Sequence, residues 1–169
     1  MNAFPHAHEW RLVVARADRS GELEFVVGAK PKALLDQPGI AQGAWYWSVE
    51  NGHSLENPGS TPTSFRLAGP NGSTFGVMCI PARSAGKVDA ATASLWAEEF
   101  DESDPAMHAT DTTDYDVVIS GKVDIELPGG KIQTLVPGDL LVMTGVTHAW
   151  KNPYDEDCMF ISVTIGFNE

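Results

Sequence analysis

The 169-residue chain holds five histidines, and only two of them stand where they could do chemistry together. His6 and His8 lie beside Pro5 in the first eight residues, and chain ends fray, so they read as a solvated tail. His53 sits in an Asn-Gly-His loop and reads as exposed. His108 and His148 each precede or begin a β-like run, where alternation decides which side chains face an interior. His108 and Thr110 share one strand face, and Asp114 follows a short polar turn from which it can point back into the same interior. His148 belongs to a later strand. Two imidazoles and a carboxylate converging from different strands form a 2-His-1-carboxylate set. Such a set offers two neutral nitrogens and one anionic oxygen to a divalent cation and leaves positions open for water, O₂ or substrate. The competing reading is that the histidines are hydrogen-bonded structural residues and that Asp111, Asp114 and Asp116 are solvated turn acids.

The elements that must position these groups are short strands. Residues 11–15 and 22–27 flank a polar turn and read as a hairpin. Residues 44–49, which contain Trp45, Tyr46 and Trp47, and residues 73–80 read as further strands. Alternation puts Trp45 and Trp47 on one strand face and Tyr46 on the other, as core, as cover for a barrel mouth, or at a dimer contact. The segment 50–63 carries Gly52, Pro58, Gly59 and Pro62 among polar residues and has neither period, so it is expected to be a loop. Residues 88–99 are Ala-rich without Gly or Pro and form the one helix candidate, within which Trp96 could serve as a lid. Six strand-like runs follow at 115–120, 122–127, 131–136, 139–144, 148–151 and 158–166, separated by Gly121 and by the turns 128–130, 137–139 and 151–157. Frequent turns with almost no helix specify an all-β fold, an antiparallel sandwich or barrel. Residues 1–72 are expected to form a β-rich extension packed on a barrel of residues 73–169, one domain overall.

Composition narrows the function classes. Lys plus Arg is 11 and Asp plus Glu is 23, giving a net charge of −12. Such a surface repels phosphate backbones and anionic lipid heads, which argues against nucleic-acid and membrane partners. Cys79 and Cys158 lie in apolar runs and read as buried, inert thiols rather than a disulfide framework. No apolar run approaches the roughly 18–20 residues of a membrane span, and the first residues lack a basic and then apolar leader. A cytoplasmic, soluble protein is expected.

The stretch from His108 to Asn152 resembles the double motif of the cupin superfamily. His108 takes the first histidine position of the first motif, Asp114 stands where that motif has its acid, and Gly121 follows after six residues. Gly138, Gly145, His148 and Asn152 fall on the second motif, and 16 residues separate Gly121 from Gly138, close to the short inter-motif region of the family. Thr110 replaces the second histidine, Asp114 is one methylene shorter than the usual Glu, the turn before His148 lacks its Pro and is one residue short, and Glu102 stands where the first motif has an upstream glycine. The resemblance implies a double-stranded β-helix, the jelly-roll barrel of a small single-domain cupin. It also implies one divalent metal ion (Fe, Zn, Mn or Ni) held by His108, Asp114 and His148, and a homodimer in which N-terminal strands pair across a two-fold.

With that site, the expected activity is a metal-dependent enzyme acting on an aromatic or carbonyl/carboxylate small-molecule substrate, of dioxygenase, decarboxylase or lyase class. Met143 and Trp150 would line the substrate pocket; Thr110 and Tyr115 would move protons, with Tyr115 also near the cavity. The same barrel could instead be a non-catalytic binding module, or a metal-free sugar epimerase with a His–Asp base.

Overall fold

A computed structural model describes residues 5–17, 20–84, 99–101 and 104–168 of the chain. The described residues form thirteen strands: β1 (Leu12–Ala17), β2 (Leu23–Ala29), β3 (Ala33–Gln37), β4 (Ala41–Val49), β5 (Ser73–Ile80), β6 (Glu99–Asp101), β7 (Asp104–Ala109), β8 (Thr112–Ser120), β9 (Val123–Leu127), β10 (Lys131–Leu135), β11 (Leu140–Thr144), β12 (Ala149–Lys151) and β13 (Cys158–Gly166). No helix occurs among the described residues, and the architecture is all-β. The helix candidate at 88–99 lies outside them except for Glu99, which opens β6.

Six strands form the larger sheet in the order β11-β8-β13-β5-β4-β3, and every neighbouring pair is antiparallel. The smaller layer is β10-β9-β12, and the β6-β7 pair joins it where His108 and His148 form a bridge. Residues 33–49, expected in an extension packed on the barrel, are therefore two strands of its larger sheet. β3 itself was not anticipated, because its sequence ALLDQ has a short, weak alternation.

Alternation makes the interior. Along β8, Thr112, Asp114, Asp116 and Val118 turn inward and are buried, whereas Tyr115 faces outward. Val118, Phe160, Ile80 and Leu35 from the larger sheet meet Val123, Ile125 and Leu135 from the smaller one in the main core. Burying each such side chain contributes roughly 1.5–3 kcal/mol. A second cluster (Ala44, Tyr46, Val77 and Met159) lies beneath the N-terminal segment, where Ala7, Trp10 and Leu12 cover it and the Tyr46 hydroxyl donates to the Ala7 carbonyl at 3.0 Å.

Gly121 ends β8 with φ of 71°, a left-handed conformation that favours glycine. A Cβ there would also collide with the Asp157 carbonyl, so this position fixes how β8 turns into β9. Cys79 and Cys158 are buried free thiols on neighbouring strands, and burial pushes them up to about 11 and about 12, so they are unreactive at neutral pH. No helix among the described residues is long and apolar enough to cross a membrane.

Candidate functional site

The two histidines are brought together by backbone, not by side chains. The His108 N–H donates to the His148 carbonyl and the His148 N–H to the His108 carbonyl, each at 2.9 Å, so β7 and β12 touch at these residues. Their rings consequently sit side by side, with centroids 4.6 Å apart and planes at 52°. The Nδ1 of His108 bonds the Ala106 carbonyl and that of His148 the Val146 carbonyl, both at 2.8 Å. A carbonyl can only accept, so each Nδ1 carries the proton and each Nε2 is left as the acceptor nitrogen. Burial disfavours the charged imidazolium: it lowers His108, and it lowers His148 to about 4 with a further push from the neighbouring His108. Both rings are neutral at physiological pH.

The acids come from the opposite layer. Thr112 donates to Asp114 Oδ1 at 2.6 Å, which commits its only proton, so the Thr110 hydroxyl 2.8 Å away donates to Thr112. Asp114 is raised by burial and drawn partly back by that Thr112 bond. Asp116, two residues on and 2% exposed, is raised further, to about 7, by burial above all and then by the Asp114 charge. Ser162, its register partner on β13, pulls it back by more than the Asp114 charge adds, but neither Asp116 oxygen makes a hydrogen bond of ordinary geometry.

These groups open onto one cavity of about 110 Å³ between the layers. Stacked aromatic pairs stand in its wall: Trp150 on Phe160 at 4.4 Å and Trp45 on Phe65 at 5.0 Å. The His148 ring meets the Trp150 face edge-on at 6.4 Å. His108, Thr110, Asp114, His148, Met143 and Trp150 all line this cavity. Tyr115 does not: it is 46% exposed on the outer face of β8, the side opposite Asp114 and Asp116, so a proton-moving role for it here is withdrawn.

Asp116 and Trp45 were not picked out as site residues from sequence. The signal was present, since Asp116 shares the inward parity of Asp114 among apolar neighbours.

Although they share the cavity, no three His, Cys, Asp or Glu side chains among the described residues stand close enough together to hold a metal ion. The acids project from β8 and the imidazoles from the β7–β12 junction across the cavity, so His108, Asp114 and His148 as arranged do not assemble the expected three-ligand centre.

The comparisons follow this geometry. The cupin domain of Cnp3 from Schizosaccharomyces pombe matches 92% of this chain and 87% of its own length, with a TM-score of 0.53 at 10% identity. The chain has the cupin fold. No family model matches the sequence. Oryzines biosynthesis cluster protein J of Aspergillus oryzae is 40% identical over 50 residues, which is 30% of this chain and 28% of that protein. Phomopsin biosynthesis cluster protein D of Diaporthe leptostromiformis is 41% identical over 46 residues, 27% of this chain and 24% of that protein. The chain thus spans under a third of the length of the curated relatives it matches.

Proposed function

We propose that this cupin is a small-molecule enzyme that works by proton transfer, with Asp116 as its general acid–base. One observation carries the reading: a carboxyl group buried in an aromatic-walled cavity, without a hydrogen-bond partner, and ionising near pH 7. A catalytic proton carrier is most effective when its pKa lies near the working pH, and burial is the usual way to bring a carboxylate there. In its ionised form Asp116 takes the proton from a carbon next to a carbonyl. The C–H electron pair moves into the new C=C bond and the carbonyl π pair onto oxygen, giving an enolate. Asp116, now protonated, returns that proton to carbon at the same or the conjugated position. The neutral His148 ring supplies an Nε2 acceptor for an O–H or N–H group on the substrate, and the Thr110–Thr112–Asp114 chain fixes the neighbouring carboxylate.

The short likeness to proteins of the oryzines and phomopsin biosynthesis clusters supports work on small molecules. Because the site's carboxylates and imidazoles do not close on a common ion, no step is assigned to a metal. The cavity volume is of the same order as the roughly 150 Å³ pocket that holds benzene, the scale of a single ring, which disfavours the nucleotide sugar of an epimerase.

The test is deuterium exchange. The chain is incubated in D₂O with short-chain and single-ring carbonyl compounds, and loss of the α-proton signal is followed by NMR. Catalysed exchange is expected for at least one compound, abolished in Asp116→Asn and unaffected by a chelator. Exchange that disappears on chelation would restore the metal reading, and binding without any exchange would leave a binding module.

A further inference from the structure

Among the described residues, the buried side-chain atoms without a hydrogen-bond partner are of two opposite kinds: the indole N–H of Trp45, a donor, and both carboxyl oxygens of Asp116. The two residues line the same cavity and do not satisfy each other. Leaving a buried polar group unpaired is destabilising, and folded proteins leave few. The neighbouring tryptophans show the ordinary outcome, since Trp47 donates to the Pro58 carbonyl and Trp10 to the Pro5 carbonyl, both at 3.0 Å.

The Trp45 indole is built into place. It is 1% exposed, stacks on Phe65, and packs over Gly76, where any Cβ would collide with both its ring and the Ala44 carbonyl. A register shift between Trp45 and Trp47 breaks the alternation of β4 next to it. Such bulges re-aim a side chain at the cost of local pairing.

We propose that Trp45 is a substrate-binding residue of this cavity, its indole N–H donating to a carbonyl-type acceptor on an uncharged, single-ring-sized ligand that also carries an O–H or N–H donor for Asp116. This rests on the cavity read above as the reaction site. The absence of charge on the ligand follows from the wall: among the described residues that line it there is no Lys or Arg, and two carboxyl groups face inward. An anionic ligand would meet carboxylate with nothing to offset it. Within the aromatic or carbonyl/carboxylate substrates expected from sequence, this favours a neutral carbonyl compound such as a lactam or enone over a carboxylate. The size follows from a volume of about 110 Å³.

The probes are 2-pyridone, which has both a carbonyl and an N–H, with benzene as its apolar counterpart and benzoate as an anion. Protein labelled with ¹⁵N in its five tryptophans gives indole signals, and Trp45→Phe identifies the one that matters. 2-Pyridone is expected to shift that signal and to bind at least about tenfold more tightly than benzene, with benzoate weakest. Trp45→Phe should lose about that tenfold for 2-pyridone and leave benzene unchanged. Equal binding of 2-pyridone and benzene, or tightest binding by benzoate, overturns the proposal. So does an ordered water that stays on Trp45 Nε1 with 2-pyridone bound. Should Trp45→Phe fail to fold, the wild-type signals decide alone: no ligand-dependent indole shift overturns it. Asp116→Asn keeps an acceptor, so it should still bind 2-pyridone within a few-fold; absent deuterium exchange with intact 2-pyridone binding sinks the catalytic reading and not this one.

Discussion

A single carboxyl group, Asp116, ties function to stability. Its proton is held up to about pH 7 in the folded chain against 3.8 for an ordinary aspartate. Between those values the folded state binds more protons than the unfolded one, so this group makes stability fall as pH rises from about 4 to about 7. The buried histidines act in the opposite direction. They stay neutral when folded, so their contribution is full above 6.5 and is lost as pH falls, toward about 4 for His148. The two effects overlap in wild type, and Asp116→Asn separates them. The variant should gain on wild type by a margin that grows from pH 4.5 to pH 7.5, with an upper bound on the order of 4 kcal/mol from the size of the shift. Urea unfolding at the two pH values checks this. A constant cost from the asparagine amide does not alter the slope, and a margin independent of pH would contradict the burial argument. Wild-type exchange should correspondingly rise with pH through about 7, as the base form of Asp116 appears.

At the scale of elements, most strands were legible because β-branched and aromatic runs alternate between turns. β5 and β13 match their expected ranges residue for residue. The bulge in β4 was not legible. Alternation assigns Trp45 and Trp47 to one face, whereas the register shift separates them, with Trp45 in the cavity wall and Trp47 bonded to the 50–72 loop through Pro58. Gly76 opposite the bulge permits this. Gly76→Ala should cost about 1–3 kcal/mol or more in unfolding free energy and weaken 2-pyridone binding together with it, because the indole must move. Asn152, read from sequence as a motif position, is a structural clamp. Its amide nitrogen donates to the Ile80 and Glu156 carbonyls at 3.0 and 2.9 Å, and its oxygen accepts from the Tyr154 N–H at 3.0 Å. Asn152→Ala removes three hydrogen bonds that tie the turn after β12 to itself and to the end of β5, and should cost roughly 2–4 kcal/mol, read as a lowered melting temperature.

For the whole molecule, the β1–β2 hairpin is the feature the barrel leaves unexplained. Cross-strand register puts Val13, Ala15, Ala17, Leu23, Phe25 and Val27 on one face, with Leu23 86% and Phe25 74% exposed. The other face carries the Arg16–Glu24 ion pair at 2.8 Å. A two-stranded hairpin is marginal alone in water, and an entirely apolar face calls for cover. With a second copy of the chain as that cover, in keeping with the homodimer expected from sequence, sedimentation should give a dimer. Phe25→Glu should then give a folded monomer whose 2-pyridone affinity is unchanged. A wild-type monomer at tens of micromolar would remove the dimer from the account.

What the sequence determined by itself was local: where strands run, where glycine turns them, and that His108, Thr110, Asp114 and His148 share an inward parity around one cavity. Period-2 alternation fixes the face of each residue without reference to the rest of the chain. What only the tertiary structure decided was distance and solvation. The separation of the β8 acids from the histidine bridge, the burial that sets Asp116 near neutrality, and the placing of Trp45 and Asp116 in one cavity wall, on strands with two others between them, all depend on strand order. Strand order is set by pairings between residues tens of positions apart, which no local pattern encodes.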